Sequence, residues 1–220
     1  MSFKSQISWV MAVLCLLALG ARAQATATTA HEIVRQTTDE VMAVVEEARS
    51  YADEDPERYY TAIQGILDGV VDFRGFARGV MGAYATSERY RSLDDAGRAQ
   101  LRDQLDRFSN VMRDGMVRTY GKGLLAFSGS RIEISNSAPD EAEQSRASVE
   151  QLIFSDQTEP YVVMYQMGRD RDGAWKLRNM IIENINLGEI YRNQFEAAAR
   201  KENGDLDAVI DRWSAVEIDD

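Results

Sequence analysis

The sequence predicts an α+β fold, a curved antiparallel four-stranded meander packed with several helices. Three observations carry this. Helical spacing of apolar residues runs from His31 to about residue 125, four short strand-like segments follow between Arg131 and Glu183, and helical spacing resumes at Leu187. The strand-like segments are consecutive and closely linked, so they close most simply as a meander.

Taken in order, the first element is not part of the fold. Lys4 gives a short positive region, Ile7 to Leu19 is apolar apart from Ser8, and Ala21-Arg22-Ala23 has the small-residue pattern of a cleavage site. Residues 1–23 therefore read as a cleaved signal peptide, too short an apolar run for a comfortable membrane span. The rival reading is an uncleaved N-terminal anchor. Cleavage at Ala23 discards Cys15, the only cysteine, and leaves a mature chain without thiol, disulfide or thiolate-bound metal. Lys4 and Arg22 leave too, so 23 basic residues face 36 acidic ones, a net charge of −13. Such a chain is repelled by phosphate backbones and anionic lipid surfaces, which argues against nucleic acid and against permanent adhesion to an anionic bilayer.

The first helix is expected over 31–52, with Ile33, Val34, Val41, Val44, Val45 and Ala48 on its apolar side. Asp55-Pro56 is a cap followed by proline at the first helical position, opening a helix through Tyr59, Tyr60, Ile63 and Leu67. A third segment, 70–82, gathers Phe73, Phe76, Ala77, Val80 and Met81 on one face. Ser92 to Asp95 caps a long helix whose stripe is Leu101, Leu105, Phe108, Met112, Met116, Tyr120 and Leu124, ending near Gly121-Lys122-Gly123 or just beyond. Strands follow at 131–135, 147–155, 161–168 and 174–183, with an Asp-Gly hairpin signal at Asp172-Gly173. In the third strand both alternating sets are largely apolar. Helices at 187–201 and 205–213 complete the order, and Pro56, Pro139 and Pro160 all fall at element borders.

Catalytic signals are sparse. His31, the lone histidine, reads as an exposed or capping residue, with no partner for a metal site or a triad. Ser128-Gly129-Ser130 is a junction turn, and Gly121-x-Gly123 follows no strand and reads as a helix terminus. Nothing selects a catalytic pair among the many carboxylates. The segment Trp175 to Phe195 is apolar, aromatic and unreactive, suited to walling an apolar space. The six methionines at 81, 112, 116, 164, 167 and 180 suit a cavity that accepts variable apolar ligands. On residues alone this is an exported α+β domain with apolar-ligand binding in view.

Three segments in order resemble a known family. They are Val70-Val71-Asp72-Phe73 with Ala77-Arg78 and Val80-Met81-Gly82; Thr119-Tyr120-Gly121-Lys122-Gly123-Leu124-Leu125; and Trp175-Lys176-Leu177 leading through Ile181-Ile182-Glu183 to Asn186-Leu187 and Tyr191-Arg192-Asn193-Gln194-Phe195. Together they are similar to MlaC, the toluene-tolerance auxiliary family of periplasmic phospholipid carriers. Asn184-Ile185-Asn186 departs from the Gly-Val/Ile-Ser type of turn usual there, Asn179 stands where Asp is common, and Gly188-Glu189 replaces more apolar residues.

The resemblance implies that helices and meander surround an apolar lipid pocket in a single domain over 24–220, or in two lobes at 31–126 and 131–215. It implies a periplasmic shuttle that carries phospholipid between an outer-membrane lipoprotein–porin complex and the MCE-domain subunit of an inner-membrane ABC transporter. Docking would be transient, and no cofactor, catalysis or metal is expected. Expected lining residues are Phe73, Phe76, Val80, Met81, Tyr120, Leu124, Val163, Tyr165, Met167, Leu177 and Ile181, closed on one side by Leu187, Tyr191 and Phe195. Arg78 and Arg192 admit two readings, headgroup contacts or surface ion pairs, the second being the stronger. Two other functions compete: a small enzyme acting on an apolar substrate, which needs a perturbed cleft carboxylate or tyrosine, and a periplasmic adaptor or chaperone, which needs an exposed apolar patch.

Overall fold

The structure, a computed structural model, describes residues 28–126, 131–137, 143–155 and 158–213. The leader at 1–23 and Ser128-Gly129-Ser130 lie outside the described residues.

Helix α1 (Ala30–Ala48) starts on a capping box, in which the Thr29 hydroxyl accepts from the Glu32 N–H and the Glu32 carboxylate accepts from the Thr29 N–H at 2.8 Å. It stops short of Ala52 because the chain there already turns toward the next helix, with the Asp55 N–H donating to the Tyr51 carbonyl at 2.8 Å. Helix α2 (Pro56–Val70) opens on the expected Asp55 cap with proline in its first turn. Helix α3 (Phe73–Met81) opens on Asp72, whose carboxylate accepts from the Gly75 N–H at 2.9 Å.

A 3₁₀ turn (Gly82–Ala85) and a six-residue helix α4 (Ser87–Ser92) were not legible, since SERYRS carries no apolar period. Helix α5 (Asp95–Ala126) spans 32 residues and buries Leu101, Leu105, Phe108 and Met112 of the expected stripe. It runs straight through Gly121 and Gly123, so the helix-terminus reading of that pair is corrected. Gly121 serves close approach instead: an added Cβ would lie 3.2 Å from the Tyr60 ring and 3.4 Å from the Tyr59 ring. The Tyr59 hydroxyl donates to the Gly121 carbonyl at 2.9 Å.

Strands β1 (Arg131–Ile134), β2 (Arg146–Phe154), β3 (Tyr161–Arg169) and β4 (Trp175–Ile182) form the expected meander, and a short β5 (Ile185–Asn186) extends it to five, in sequential antiparallel order. The extra strand exists because Glu183 and Asn184 both take positive φ, 47° and 69°, which folds β5 back on β4 as a two-residue hairpin. Helices α6 (Leu187–Lys201) and α7 (Leu206–Asp211) close the fold.

The core falls into three clusters rather than one. The largest joins α3, α5, α6 and α7 around Val80, Met81, Phe108, Tyr191 and Phe195. A second packs Ala30 and Val34 of α1 on Val149, Met167 and Trp175 of the sheet. The third joins α1, α2 and α5 through Val45, Tyr59, Ile63 and Val117. His31 is 6% exposed, with Nε2 3.3 Å from the Ser135 hydroxyl, so the expectation of exposure is corrected: it sits in the α1–β1 contact.

Candidate functional site

Strand register decides which side chains face the helices. Val149, Tyr165 and Met180 lie abreast on one face, as do Gln151, Val163 and Ile182. This is the helix-facing side, because Val149 and Met167 pack on Ala30 and Val34 of α1. Alternation alone would put Leu177 and Ile181 together on it. A bulge intervenes. Met167 pairs with Leu177 and Gln166 with Asn179, leaving Arg178 as the extra residue. The parity of β4 therefore flips at Arg178, and Leu177, Met180 and Ile182 face the helices while Ile181 turns to the outer face beside Met164 and Asn186. Ile181 therefore does not share the face of Leu177, whereas Met180 and Ile182 do and pack against the helical cluster.

The other expected lining residues separate by cluster. Phe76, Val80, Met81, Leu187, Tyr191 and Phe195 belong to the largest cluster, with Tyr120, Met180 and Ile182 half-buried against it. Tyr165, Met167 and Leu177 belong to the α1–sheet cluster, and Leu124 to the α1–α2–α5 cluster. Phe73 and Val163 are buried. Phe195 lies within an aromatic stack, 4.9 Å from Phe108 and 5.8 Å from Trp213 between ring centroids, and is core. Tyr191 is the more central member: its ring meets Phe76 edge-on at 6.0 Å and its hydroxyl lies 3.4 Å from that of Tyr120.

The residues brought between sheet and helices are thus Tyr165 and Leu177, packed with α1, and Met180 and Ile182, packed against the cluster that holds Tyr120 and Tyr191. Tyr165, Leu177, Met180 and Ile182 point inward yet stay only half-buried. The polar groups here are occupied with one another. The Tyr165 hydroxyl donates to Gln151 Oε1 at 2.7 Å, and Gln151 Nε2 donates to the Thr38 hydroxyl at 2.9 Å. Burial pushes the Tyr165 phenol well above the ordinary tyrosine range, and burial followed by the Tyr120 contact does the same to Tyr191. Both hydroxyls therefore stay neutral at physiological pH. Among the described residues no three His, Cys, Asp or Glu side chains gather as a metal site would require.

The start of α3 is fastened to β4 around Leu177. Val71 bridges Leu177, the Asp72 N–H donates to the Leu177 carbonyl at 3.0 Å, and Lys176 Nζ donates to the Gly69 carbonyl at 2.5 Å. The Asp72 carboxylate pairs with the Arg178 guanidinium. Beside this fastening lies a cleft of about 180 Å³ between α3, α6 and β4, whose lining includes Gly75, Phe76, Val80, Arg178 and Arg192. Arg192 Nε donates to the Gly79 carbonyl at 3.1 Å rather than to a carboxylate. Arg78 is exposed and makes no ion pair with a described residue. A second cleft of about 190 Å³ lies between the start of α5 and the α6–α7 turn. Both are smaller than the roughly 300–1,000 Å³ of ordinary small-molecule sites.

Sequence reasoning missed Asn179 as an organiser. Its amide donates to Gln166 Oε1 at 3.0 Å and Asn186 Oδ1 at 2.9 Å, and its oxygen accepts from the Gly188 N–H at 3.0 Å. Gly188 fits because an added Cβ would stand 2.8 Å from that oxygen. The clustering of Asn179, Asn184 and Asn186 around a turn was the available signal.

The family profile described as MlaC protein matches residues 35–215. The toluene tolerance protein ttg2D of Pseudomonas putida is 29% identical over 202 residues, covering 92% of this chain and 87% of that one. The crystal structure of a phospholipid-binding protein from Ralstonia solanacearum, solved in complex with a phospholipid, superposes with a TM-score of 0.62 at 17% identity, over 84% of this chain and 94% of that one. At that identity the likeness shows a shared fold.

Proposed function

The chain belongs to the MlaC protein family, and on that premise we propose that it is a periplasmic phospholipid carrier holding acyl chains between its sheet and its helices. The observation that carries the reading is the row Tyr165, Leu177, Met180 and Ile182, inward-facing, apolar over most of its surface and only half-buried. A phospholipid with about 30 acyl methylenes exposes apolar surface worth roughly 25 kcal/mol in water at about 0.8 kcal/mol each. A carrier must hide nearly all of it, and the two clefts are too small to do so. The interval between the layers is where concealment can occur, by separation of helices from sheet. The fold shared with the phospholipid-bound Ralstonia protein supports this reading.

The rest of the reading follows from carriage. The leader exports the chain and is removed. The acidic mature surface keeps it diffusing and matches it to basic docking surfaces on an outer-membrane lipoprotein–porin complex and on the MCE-domain subunit of an inner-membrane transporter. The cargo leaves unchanged, so the protein acts as a carrier and not a catalyst. The test is native mass spectrometry of the purified protein, with solvent extraction in parallel. Phospholipid-mass adducts that extraction removes are expected, and repeated purification of a chain that neither retains nor takes up phospholipid would sink the proposal.

A further inference from the structure

The second cleft, between the start of α5 and the α6–α7 turn, is bordered by no strand and stands apart from the interval between sheet and helices. Its volume of about 190 Å³ is the liquid volume of roughly six waters at about 30 Å³ each, so it suits a ligand on the order of six to ten non-hydrogen atoms. Gln104, in its lining, is 6% exposed, and Nε2 donates to Asp207 Oδ2 at 2.9 Å. That carboxylate, bound also by Arg107, can only accept, which fixes the orientation of the amide. Gln104 Oε1 is then an acceptor with no donor among the described residues. Among those residues the buried side-chain polar atoms without a partner are the indole nitrogens of Trp175 and Trp213, so Gln104 Oε1 keeps accessible surface, and the cleft supplies it. Gln100 repeats the pattern, its Nε2 donating to the same Asp207 oxygen at 3.3 Å. Two opposite charges complete the lining. Arg89 and Asp205 form no ion pair, with each other or with another described residue.

We propose that this cleft binds a short zwitterion, its primary ammonium held by Asp205 and the Gln104 amide oxygen and its anionic group by Arg89. An ammonium carries three donors and no acceptor, which suits lining groups that can only accept. A guanidinium takes a carboxylate or a phosphate through two parallel N–H bonds. Leu93, Leu101 and Leu206, in the same lining, give a short alkyl stem an apolar wall. A simple cation would meet Arg89 and a simple anion Asp205, so a ligand bearing both charges is the one that neither residue repels. Water satisfies Gln104 Oε1 but brings neither charge a counter-ion.

The test is calorimetric titration of the purified chain with γ-aminobutyrate and with phosphoethanolamine, against butylamine and butyrate, which each carry one of the two charges. At low salt the better zwitterion should bind at least tenfold more tightly than either single-charge probe, and which of the two it is identifies the anionic group as carboxylate or phosphate. The Gln104 side-chain amide signal should shift with that ligand in heteronuclear NMR spectra and saturate at the same affinity. Arg89→Gln should weaken the zwitterion at least tenfold without weakening butylamine, whereas Asp205→Asn should weaken both. Both variants should melt with the parent, because Arg89 has no side-chain partner among the described residues and asparagine caps α7 as well as aspartate does. No heat and no Gln104 shift with either zwitterion, the behaviour of a cleft that holds water only, overturns the proposal. Equal binding of butylamine or butyrate does so too, as does a zwitterion affinity unchanged in both variants. None of these outcomes bears on lipid carriage, so the two proposals fail separately.

Discussion

Asp72, at the head of α3, and Arg178, the extra residue of the β4 bulge, form the one ion pair between described residues that joins the helices to the sheet. Two glycines make room for it. A Cβ at Gly75 would run into the Asp72 carboxylate, and one at Gly168 would lie 3.2 Å from Arg178 Cγ. Asp72 also caps α3 and bonds Leu177 through its backbone, so one residue sets the helix start, the strand contact and the ion pair.

Gly75→Ala tests this arrangement by its sign. In an ordinary helix interior the change stabilises by up to about 1 kcal/mol. Here it displaces the carboxylate, so the cap and the pair are lost together and the protein should be destabilised by about 1–2 kcal/mol, close to the effect of Asp72→Ala. Denaturant melts of the two variants and of their double mutant check it. The double mutant should be no worse than Asp72→Ala alone.

The chain Tyr165–Gln151–Thr38 gives a second prediction. Tyr165→Phe removes the donor to Gln151 Oε1, an atom in a residue only 3% exposed. The cost should be about 1–3 kcal/mol, the range for a buried polar group left unpaired. Pairing Tyr165→Phe with Gln151→Leu should recover part of the loss, because no orphaned oxygen remains. If Tyr165 serves the apolar wall through its ring, phospholipid retention survives Tyr165→Phe.

The long periodic elements of this fold were legible, as was the order of helices, meander and helices, because α5 repeats its stripe over many turns and Pro56 and Pro160 sit at borders. What escaped was local. The bulge at Arg178 leaves no trace in alternation, since Leu177 and Ile181 are both apolar, and that single inserted residue sends Ile181 to the outer face. Gly121 looked like a stop because sequence does not show the Tyr59 and Tyr60 rings pressed against it. The reading of His31 as exposed failed because its neighbour Ser135 is 104 residues distant. For the site, residue types were legible and their partition was not: Phe195 and Tyr191 lie one turn apart on α6, yet one belongs to an aromatic stack and the other meets Tyr120.

Asp207 should govern how acid loosens α7. Its carboxyl is held below the usual carboxylate range by the hydrogen bond from Gln104, against the opposing effect of burial, and further by bonds from Arg107 and Gln100 and the Arg107 charge. The folded state thus favours the ionised form. The stabilisation is fully present above the unfolded carboxylate value of about 3.9 and is lost as pH falls through the lower folded value. Because the side chain is 40% exposed, the effect is about 1 kcal/mol at most. Asp207→Asn should flatten this part of the acid melting profile, measured from pH 5 down to about pH 2.

The tyrosines should divide in alkali. Of nine, Tyr59, Tyr120, Tyr165 and Tyr191 are raised above the ordinary range, burial being the first cause in each, and Tyr59 is pushed up to about 12. The folded state therefore disfavours their ionisation. The stability this represents is present below the unfolded tyrosine pKa of about 10 and is lost as pH rises toward the folded values. Ultraviolet difference absorbance should show these four silent through the ordinary range and ionising together when the fold gives way, with circular dichroism falling at the same pH. Tyr59→Phe also removes the bond to the Gly121 carbonyl, so it should lower neutral-pH stability by about 1 kcal/mol and reduce the late amplitude by one phenol. All nine ionising in one early step, with the fold intact, would mean that the interval between sheet and helices is open to water rather than closed over these rings.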